Sequence, residues 1–443
     1  MLNAAQPIGA NERPVATDVG ADAGADAAAA GAAACDEPQP GAALSDRDAA
    51  YGTTRAAPCA YGRFRRLTLT DFRSYARLDA ALDGRPVALT GANGAGKTNL
   101  LEALSLLGPG RGLRGAKLAE VARADGDGGW AVATALDAAG ADDADEPVRL
   151  GVGAFAGAPD KRACRIDGRK AAGPSALAEH VRFVWLTPAQ DRLFMDGAGE
   201  RRRFLDRMTQ ARDPAHIRAA SIYEKAMRQR QRLLDDGART GPAMDSLEMQ
   251  MAEAGVALAA ARRETAAVLA ASDVAAEAPD FPSADVSLSG DVETLLDEHA
   301  AADAEDAYGA RLRDARPLDA AAGRALVGPH RSDLLVRHRA NGRAAKHCST
   351  GEQKALLVGL VLAGALSLAR DSRLAGGRAA LVLLFDEIAA HLDEGRRASL
   401  FTVLHRLGAQ CFMTGTDRSL FDAWGDRAQC FSVEAGALHP YEN

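Results

Sequence analysis

The chain is predicted to be an α/β protein: a nucleotide-binding body built on a parallel sheet and interrupted by a helical insertion. Three observations predict this. Gly91-Ala92-Asn93-Gly94-Ala95-Gly96-Lys97-Thr98 fits the phosphate-loop pattern G-x-x-x-x-G-K-[ST], and it lies between a short apolar run and a helical pattern. Far downstream, residues 381–385 are wholly apolar, as a strand buried on both faces is, and they end in Asp386-Glu387. Between these pieces, from about Gly199 to Leu318, apolar residues recur at three-to-four spacing among Arg and Glu.

Residues 1–60 are rich in Ala, Gly, Asp and Pro and have almost no aliphatic periodicity, so a disordered extension is expected there. From Phe64 the pattern changes. Residues 65–70 alternate as a strand, and Asp71-Phe72-Arg73-Ser74-Tyr75 is expected to turn the chain into a second one. Residues 86–90 form a short apolar strand entering the glycine loop. After Thr98, Leu100, Leu101, Leu104 and Leu107 predict a buried helix. Strands are expected over 130–136, 148–155 and 162–166, with a hairpin turn at Asp167-Gly168, and again over 181–186. Residues 200–208, 214–234 and 244–271 are expected to be helices. No sustained heptad repeat is present, which excludes a long coiled-coil arm. From about Ala325 the chain returns to α/β, with a further strand over 410–414. The expected partition is 1–60 extension, 61–198 first part of the ATP-binding lobe, 199–320 helical insertion, and 321–443 second part of that lobe.

Composition narrows the function classes. The 443 residues carry a formal net charge of -7, so any polyanion must be met by local basic patches. Cys35, Cys59, Cys164, Cys348, Cys411 and Cys430 form no C-x-x-C pair and have no histidine cluster beside them. Reduced thiols and a cytoplasmic location are expected. The most apolar run, 355–369, is shorter than the ~20 residues a membrane span needs. No secretory leader is expected either, and no membrane partner.

A phosphate loop works because its glycines let backbone N–H groups turn inward around phosphate oxygens, while the following helix presents its positive end. Gly91, Ala92, Asn93, Gly94, Ala95, Gly96, Lys97, Thr98 and Asn99 are therefore the expected nucleotide-binding residues. Lys97 would reach the β and γ phosphates, and the Thr98 hydroxyl would serve Mg2+. Asp386, at the end of an apolar strand, would hold Mg2+ through water. Glu387 would orient and polarise the attacking water as general base. Ser349, Gly351 and Glu352 precede an apolar helix. They make a capping box, and the same serine and helix N-terminus make a second anion site.

Ser349-Thr350-Gly351-Glu352-Gln353 and Asp386-Glu387 look like the signature and Walker B elements of an ABC-type ATPase head, a P-loop NTPase. Taken in order, Asp71-Phe72-Arg73-Ser74-Tyr75, Gly91 to Ala103, Arg201-Arg202-Arg203-Phe204-Leu205-Asp206, Gly328-Pro329-His330-Arg331-Ser332-Asp333, Ser349 to Lys354, and Asp386-Glu387 with Leu392-Asp393 resemble the RecF family. Its members are bacterial recombinational-repair ATPases related to SMC proteins. The resemblance runs from about residue 63 to the C-terminus. It implies ATP and Mg2+ as ligands and a homodimer formed on ATP. Ser349 and Gly351 of one copy would close over the γ-phosphate held by Lys97 and Thr98 of the other, with Asp393 in the D-loop at that interface. It further places Arg73 beside the phosphates and Gln190 in the Q-loop, sensing Mg2+ or water, with Asp191 as its competitor. The switch histidine of many ABC proteins is replaced by Thr414-Gly415-Thr416-Asp417. Thr416 is taken as a phosphate contact, and slow turnover is expected. Ser332 stands where an acidic residue is expected, so His330 and Arg331 stay unassigned.

The resemblance also implies DNA, both duplex and single-strand gap junctions, with RecO and RecR as partners in loading a recombinase. Basic clusters that would meet DNA are Arg63, Arg65 and Arg66; Lys161, Arg162, Arg165, Arg169 and Lys170; Arg201 to Arg203; and Lys225, Arg228, Arg230 and Arg232. The alternative is an ABC-type ATPase of signalling or transport that binds no DNA. A transporter subunit fits poorly because the stretch between phosphate loop and signature is long and the switch histidine is missing.

Overall fold

Two six-stranded sheets face each other across the helix that leaves the phosphate loop. The computed structural model describes residues 61–138, 146–371 and 379–441. The extension expected over 1–60 lies outside them, as do Cys35 and Cys59.

The first sheet is antiparallel. It contains β1 (Arg63–Phe72), β2 (Tyr75–Ala81), β4 (Trp130–Asp137), β5 (Val148–Phe155), β6 (Ala158–Ile166) and β7 (Arg169–Lys170), in the order β2-β1-β4-β5-β6-β7. The turn expected over 71–75 is tighter than the sequence indicated. Phe72 pairs with Tyr75, so only Arg73 and Ser74 turn the chain, and both Asp71 and Arg73 take positive φ. Asp167 and Gly168 also share positive φ, the geometry a two-residue hairpin turn demands.

The second sheet carries the nucleotide motifs. Its order is β14 (Ala437–Pro440), β13 (Gln429–Glu434), β3 (Val87–Thr90), β12 (Gln410–Thr414), β11 (Ala380–Phe385) and β8 (Val181–Leu186), with all neighbours parallel except β13 and β14. Every residue of β11 is buried, and the reason is two-sided packing. Ala380, Val382 and Leu384 join the core shared with the first sheet and α1 (Lys97–Ser105). Leu381, Leu383 and Phe385 join the core on the opposite face. Gln410 ties the two sheets together: its carboxamide accepts from Phe64 N at 2.8 Å and donates to Phe64 O at 3.2 Å.

The helical stretch comprises α3 (Ala198–Arg212), α4 (Ala215–Asp235), α5 (Pro242–Ala271), α7 (Asp291–Glu298), α8 (Ala301–Asp314) and α9 (Arg316–Ala322), after the short α2 (Pro174–Leu177) and beside the short α6 (Val274–Glu277). One strand inside it was not foreseen. β9 (Ala284–Ser289) pairs antiparallel with β10 (Asp333–His338), apart from both large sheets. Nor is the stretch a separate body. Phe204, Leu205 and Met208 of α3 and Leu269 of α5 pack in the same core as β11 and α10 (Thr350–Ala369). α10 has 20 residues and is apolar enough to span a membrane by length and composition, but 67% of that window is buried inside the protein. It is a core helix. α11 (Glu394–Leu407) completes the set.

Two of the quoted motifs turn out to fasten these layers together. Arg201 makes two bonds to Asp333, at 2.7 and 2.9 Å, and Arg202 donates to Ser332 O at 2.5 Å. Asp206 accepts from Arg262 at 2.7 and 2.9 Å and lies 2.9 Å from His216. Burial alone would raise the Asp206 carboxyl. The hydrogen bond with His216 and the charge of Arg262 outweigh it and bring the pKa down to about 2. Ser332 is fully buried and donates to Glu293 at 2.6 Å, so it has a neutral partner's role where an acid was expected. His330 is satisfied on both ring nitrogens, by the Tyr223 hydroxyl at 2.8 Å and Ala325 O at 3.0 Å. Gly328 has positive φ, and a Cβ there would run into the Tyr223 and Tyr308 hydroxyls. Hence only glycine fits that turn.

Candidate nucleotide-binding site

The phosphate loop leaves β3, and its left-handed glycines shape it. Gly91, Gly94 and Gly96 all have positive φ. A Cβ at Gly91 would sit 2.6 Å from Val433 O, and one at Gly96 would sit 2.9 Å from Ser74 Oγ and from the Tyr75 hydroxyl. The loop is thus pressed against β13 on one side and the β1–β2 turn on the other. Gly94 faces open space, and Ala92, Asn93 and Gly94 are exposed. That is the face on which backbone N–H groups can meet an anion.

Lys97 is 4% exposed and donates to Gly91 O at 2.6 Å and Ala92 O at 2.9 Å. Burial lowers its pKa against the opposing pull of Glu387 and Asp386. Thr98 Oγ1 donates to Asp386 Oδ1 at 2.9 Å and lies 3.2 Å from Oδ2. The structure therefore brings together a hydroxyl from the loop and a carboxylate from β11, separated by 288 residues in sequence. A hydroxyl and a carboxylate on rigid elements form an all-oxygen donor set of the kind Mg2+ takes, with waters completing its shell. This fits the implied ion.

Glu387 follows at once and takes a left-handed conformation, φ 54° and ψ 16°. A non-glycine residue there costs of order 1–3 kcal/mol, so its surroundings must enforce it. Thr414 is one such restraint. Its hydroxyl accepts from Glu387 N at 2.9 Å and donates to Asp386 Oδ1 at 2.8 Å. Thr416, two residues later, is the residue expected at a phosphate, a different contact from this one. The structure leaves Thr416 exposed and buries Thr414 completely. Alternation along β12 explains the difference: Phe412 and Thr414 share one face, and only Thr414 reaches the end of β11. That alternation was available from residues 410–414 alone.

Arg73 does something the sequence did not announce. Its Nε and Nη2 bind Glu102 at 2.9 and 2.7 Å, and its Nη1 binds Glu120 O at 2.7 Å. Arg114 joins the same carboxylate at 2.7 Å and also donates to Asn99 Oδ1 at 2.7 Å. Asn99 in turn donates to Ser74 Oγ at 2.9 Å. Glu102 is buried, and a carboxyl group in that setting is tolerated when it is paired, as it is here by two arginines. The cluster fastens the β1–β2 turn to α1. Arg114 was missed because it lies in a loop without periodicity, and its partner is 12 residues away.

The remaining expected residues make no hydrogen bond to the loop among the described residues. Gln190 is buried. Its Oε1 accepts from Thr187 N at 2.9 Å, and its Nε2 has no partner among the described residues. Asp191 pairs with Lys354 of α10 at 2.9 Å, linking the segment after β8 to the signature helix. Ser349 caps α10, accepting from Glu352 N at 3.3 Å while Glu352 accepts from Ser349 N at 2.7 Å. Ser349, Gly351 and Asp393 are all exposed, and Asp393 caps α11 by accepting from Arg396 N at 2.8 Å. Among the described residues, no hydrogen bond joins Ser349, Gly351 or Asp393 to the phosphate loop.

Most of the basic clusters are already occupied. Arg65 pairs with Asp137, Arg66 with Asp79 and Arg203 with Glu200. Arg162 donates to Gly108 O and Gly110 O. Arg230 is 1% exposed, between Glu248 at 2.9 Å and Asp319 at 2.6 Å. Enclosed in this way, it cannot meet DNA, unlike the expectation for its cluster. On β6 and β7, Lys161, Arg165, Arg169 and Lys170 are exposed, with one Arg165 nitrogen, Nη1, donating to Gly168 O at 2.9 Å.

Residues 63–438 match the model of the RecF/RecN/SMC N terminal domain. The chain is 51% identical to a DNA replication and repair protein RecF of Mesorhizobium japonicum, over 85% of this chain and 98% of that protein. It is 50% identical to that of Brucella suis biovar 1, over 84% and 95%. Among solved structures it is similar to the recombination mediator protein RecF of the RecFOR pathway, solved as RecF-ATPrS. The TM-score is 0.73 and the identity 21%, covering 87% of this chain and 100% of that one.

Proposed function

The chain belongs to the RecF family, and from that premise we propose that it is an ATP-hydrolysing DNA-repair protein whose two copies close around ATP and hold DNA. One observation carries the reading. Lys97, Thr98, Asp386, Glu387 and Thr414 meet on one face, while Ser349 and Gly351, at the start of α10, are exposed and the Ser349 hydroxyl is bonded only to Glu352 N of its own helix. A γ-phosphate gripped by both needs the second element from another copy.

In this reading the loop amides and Lys97 bind the β and γ phosphates, and Thr98 with Asp386 would hold Mg2+. When bound, Mg2+ neutralises charge on the phosphate oxygens. Glu387 takes a proton from the attacking water, and Thr414 keeps that carboxylate and Asp386 in register. Gln190 offers its unpartnered Nε2 toward water. Ser349, Gly351 and Asp393 act across the dimer interface. RecO and RecR are the proposed partners, DNA at single-strand gaps is the proposed ligand, and slow hydrolysis resets the clamp. The relatives' names and the pathway of the solved RecF support these assignments.

Thr414→Val removes both hydroxyl bonds at nearly constant volume. Turnover is expected to fall by about 10–100-fold, with ATP binding kept, because a residue that orients a metal-binding carboxylate has effects of that size. Steady-state hydrolysis and nucleotide titration check it. DNA binding is tested by anisotropy with and without ATP over a salt series. Binding that needs ATP and weakens steeply with salt supports the clamp. ATP binding without any DNA binding would leave a signalling ATPase instead.

A further inference from the structure

Eleven of the twelve phenylalanines are buried; Phe155, at the β5–β6 hairpin tip, is 65% exposed. It stands at the end of a groove of about 450 Å3 on the outer face of the first sheet. The floor of that groove is Ala131, Ala133, Gly151, Gly153 and Ala163, and the pairing register sets these residues side by side on β4, β5 and β6. No side chain there rises beyond Cβ, so a flat ring can approach the backbone. Gly153 must stay glycine, because a Cβ would lie 2.5 Å from Trp130 O.

Charge around the groove is uneven. Arg165 lines one side, and Lys161, Arg169 and Lys170 lie on the same β6–β7 hairpin against Asp160 and Asp167. Asp71 and Asp127 line the far end, but each has a partner: Arg123 at 3.9 Å from Asp71, and Gly129 N at 2.8 Å from Asp127. A strand laid here keeps its phosphates at the arginine side and away from the aspartates.

We propose that this face is a platform for single-stranded DNA, with a base stacked on Phe155, neighbouring bases on the alanine and glycine floor, and a phosphate on Arg165. Lysine and arginine around a lone aromatic are what a stacking site for single strands uses. Lysine is depleted in the cores of protein interfaces, which argues against a protein occupant. A duplex keeps its bases stacked inside and offers Phe155 nothing to stack on. The inference rests on the DNA-binding reading and names the surface that would discriminate strand type.

The test uses the full chain with ATP and a fluorescent oligo-dT or a duplex of equal length. Phe155→Ala is expected to weaken oligo-dT binding about tenfold, within the range of base–aromatic stacking, while duplex binding stays within about twofold. Phe155→Trp should restore it. An abasic oligonucleotide should bind wild type and Phe155→Ala alike. Arg165→Gln should weaken oligo-dT binding and flatten its salt dependence. Oligo-dT binding undisturbed by both Phe155→Ala and Arg165→Gln would remove this surface alone and leave the DNA-binding reading in place. A wild type that binds no DNA would remove the DNA reading with it.

Discussion

Glu387→Gln is expected to stop ATP turnover while leaving ATP bound, and to convert a transient dimer into one that persists. The glutamine keeps the size of the side chain and the backbone bond to Thr414, so the left-handed turn survives. What it loses is the ability to accept a proton. A general base contributes roughly 10²–10⁴-fold, so the rate should fall by about a hundredfold or more. In the proposed two-copy site, an unhydrolysed γ-phosphate would stay between the loop of one copy and the capped helix of the other. Sedimentation with saturating ATP should then give a stable dimer, and without ATP a monomer. A Gln variant that is monomeric with ATP would remove the two-copy site.

Lys97→Ala has the second large effect, on binding. The ammonium is nearly enclosed and already bonded to two loop carbonyls. In the proposed complex those donors turn to the β and γ phosphates, where a charge-assisted bond is worth about 1.5–3 kcal/mol; with two such bonds lost, affinity should drop by at least about a hundredfold. Thermal unfolding gives a clean readout. Ligand at a hundred times its dissociation constant stabilises a protein by about 2.7 kcal/mol, so ATP should raise the wild-type midpoint and leave that of Lys97→Ala unmoved. A variant whose midpoint still rises with ATP would separate Lys97 from the phosphates.

The nucleotide motifs were legible because their chemistry is local. A glycine loop needs its glycines in one run, and a doubly buried strand needs its apolar run, as β11 has. α4 and α5 were legible for the same reason, their periodicity being long. β9 was not. It is six residues long, lies within a helical stretch, and becomes a strand by pairing with β10, about fifty residues onward. β13 and β14 likewise gave no signal at the C-terminus, since β13 is placed by β3. The holding role of Arg73 was illegible because it depends on Glu102 being buried, and burial is a property of the fold. The bonds of Thr414 to Glu387 and Asp386 lay within reach of the alternation rule along β12.

The arginines that fasten α3 to the 328–333 turn, together with α3 and α5 side chains seated beside β11, bear on how this architecture can be remodelled. The insertion is not a cassette. Excising it to make a minimal catalytic fragment would strip one wall from the hydrophobic layer and orphan Asp333 and the Ser332 carbonyl. Truncation libraries should accordingly yield soluble products only when cuts spare α3 and the second half of α5, and grafts from distant relatives should carry both partners of each fastening.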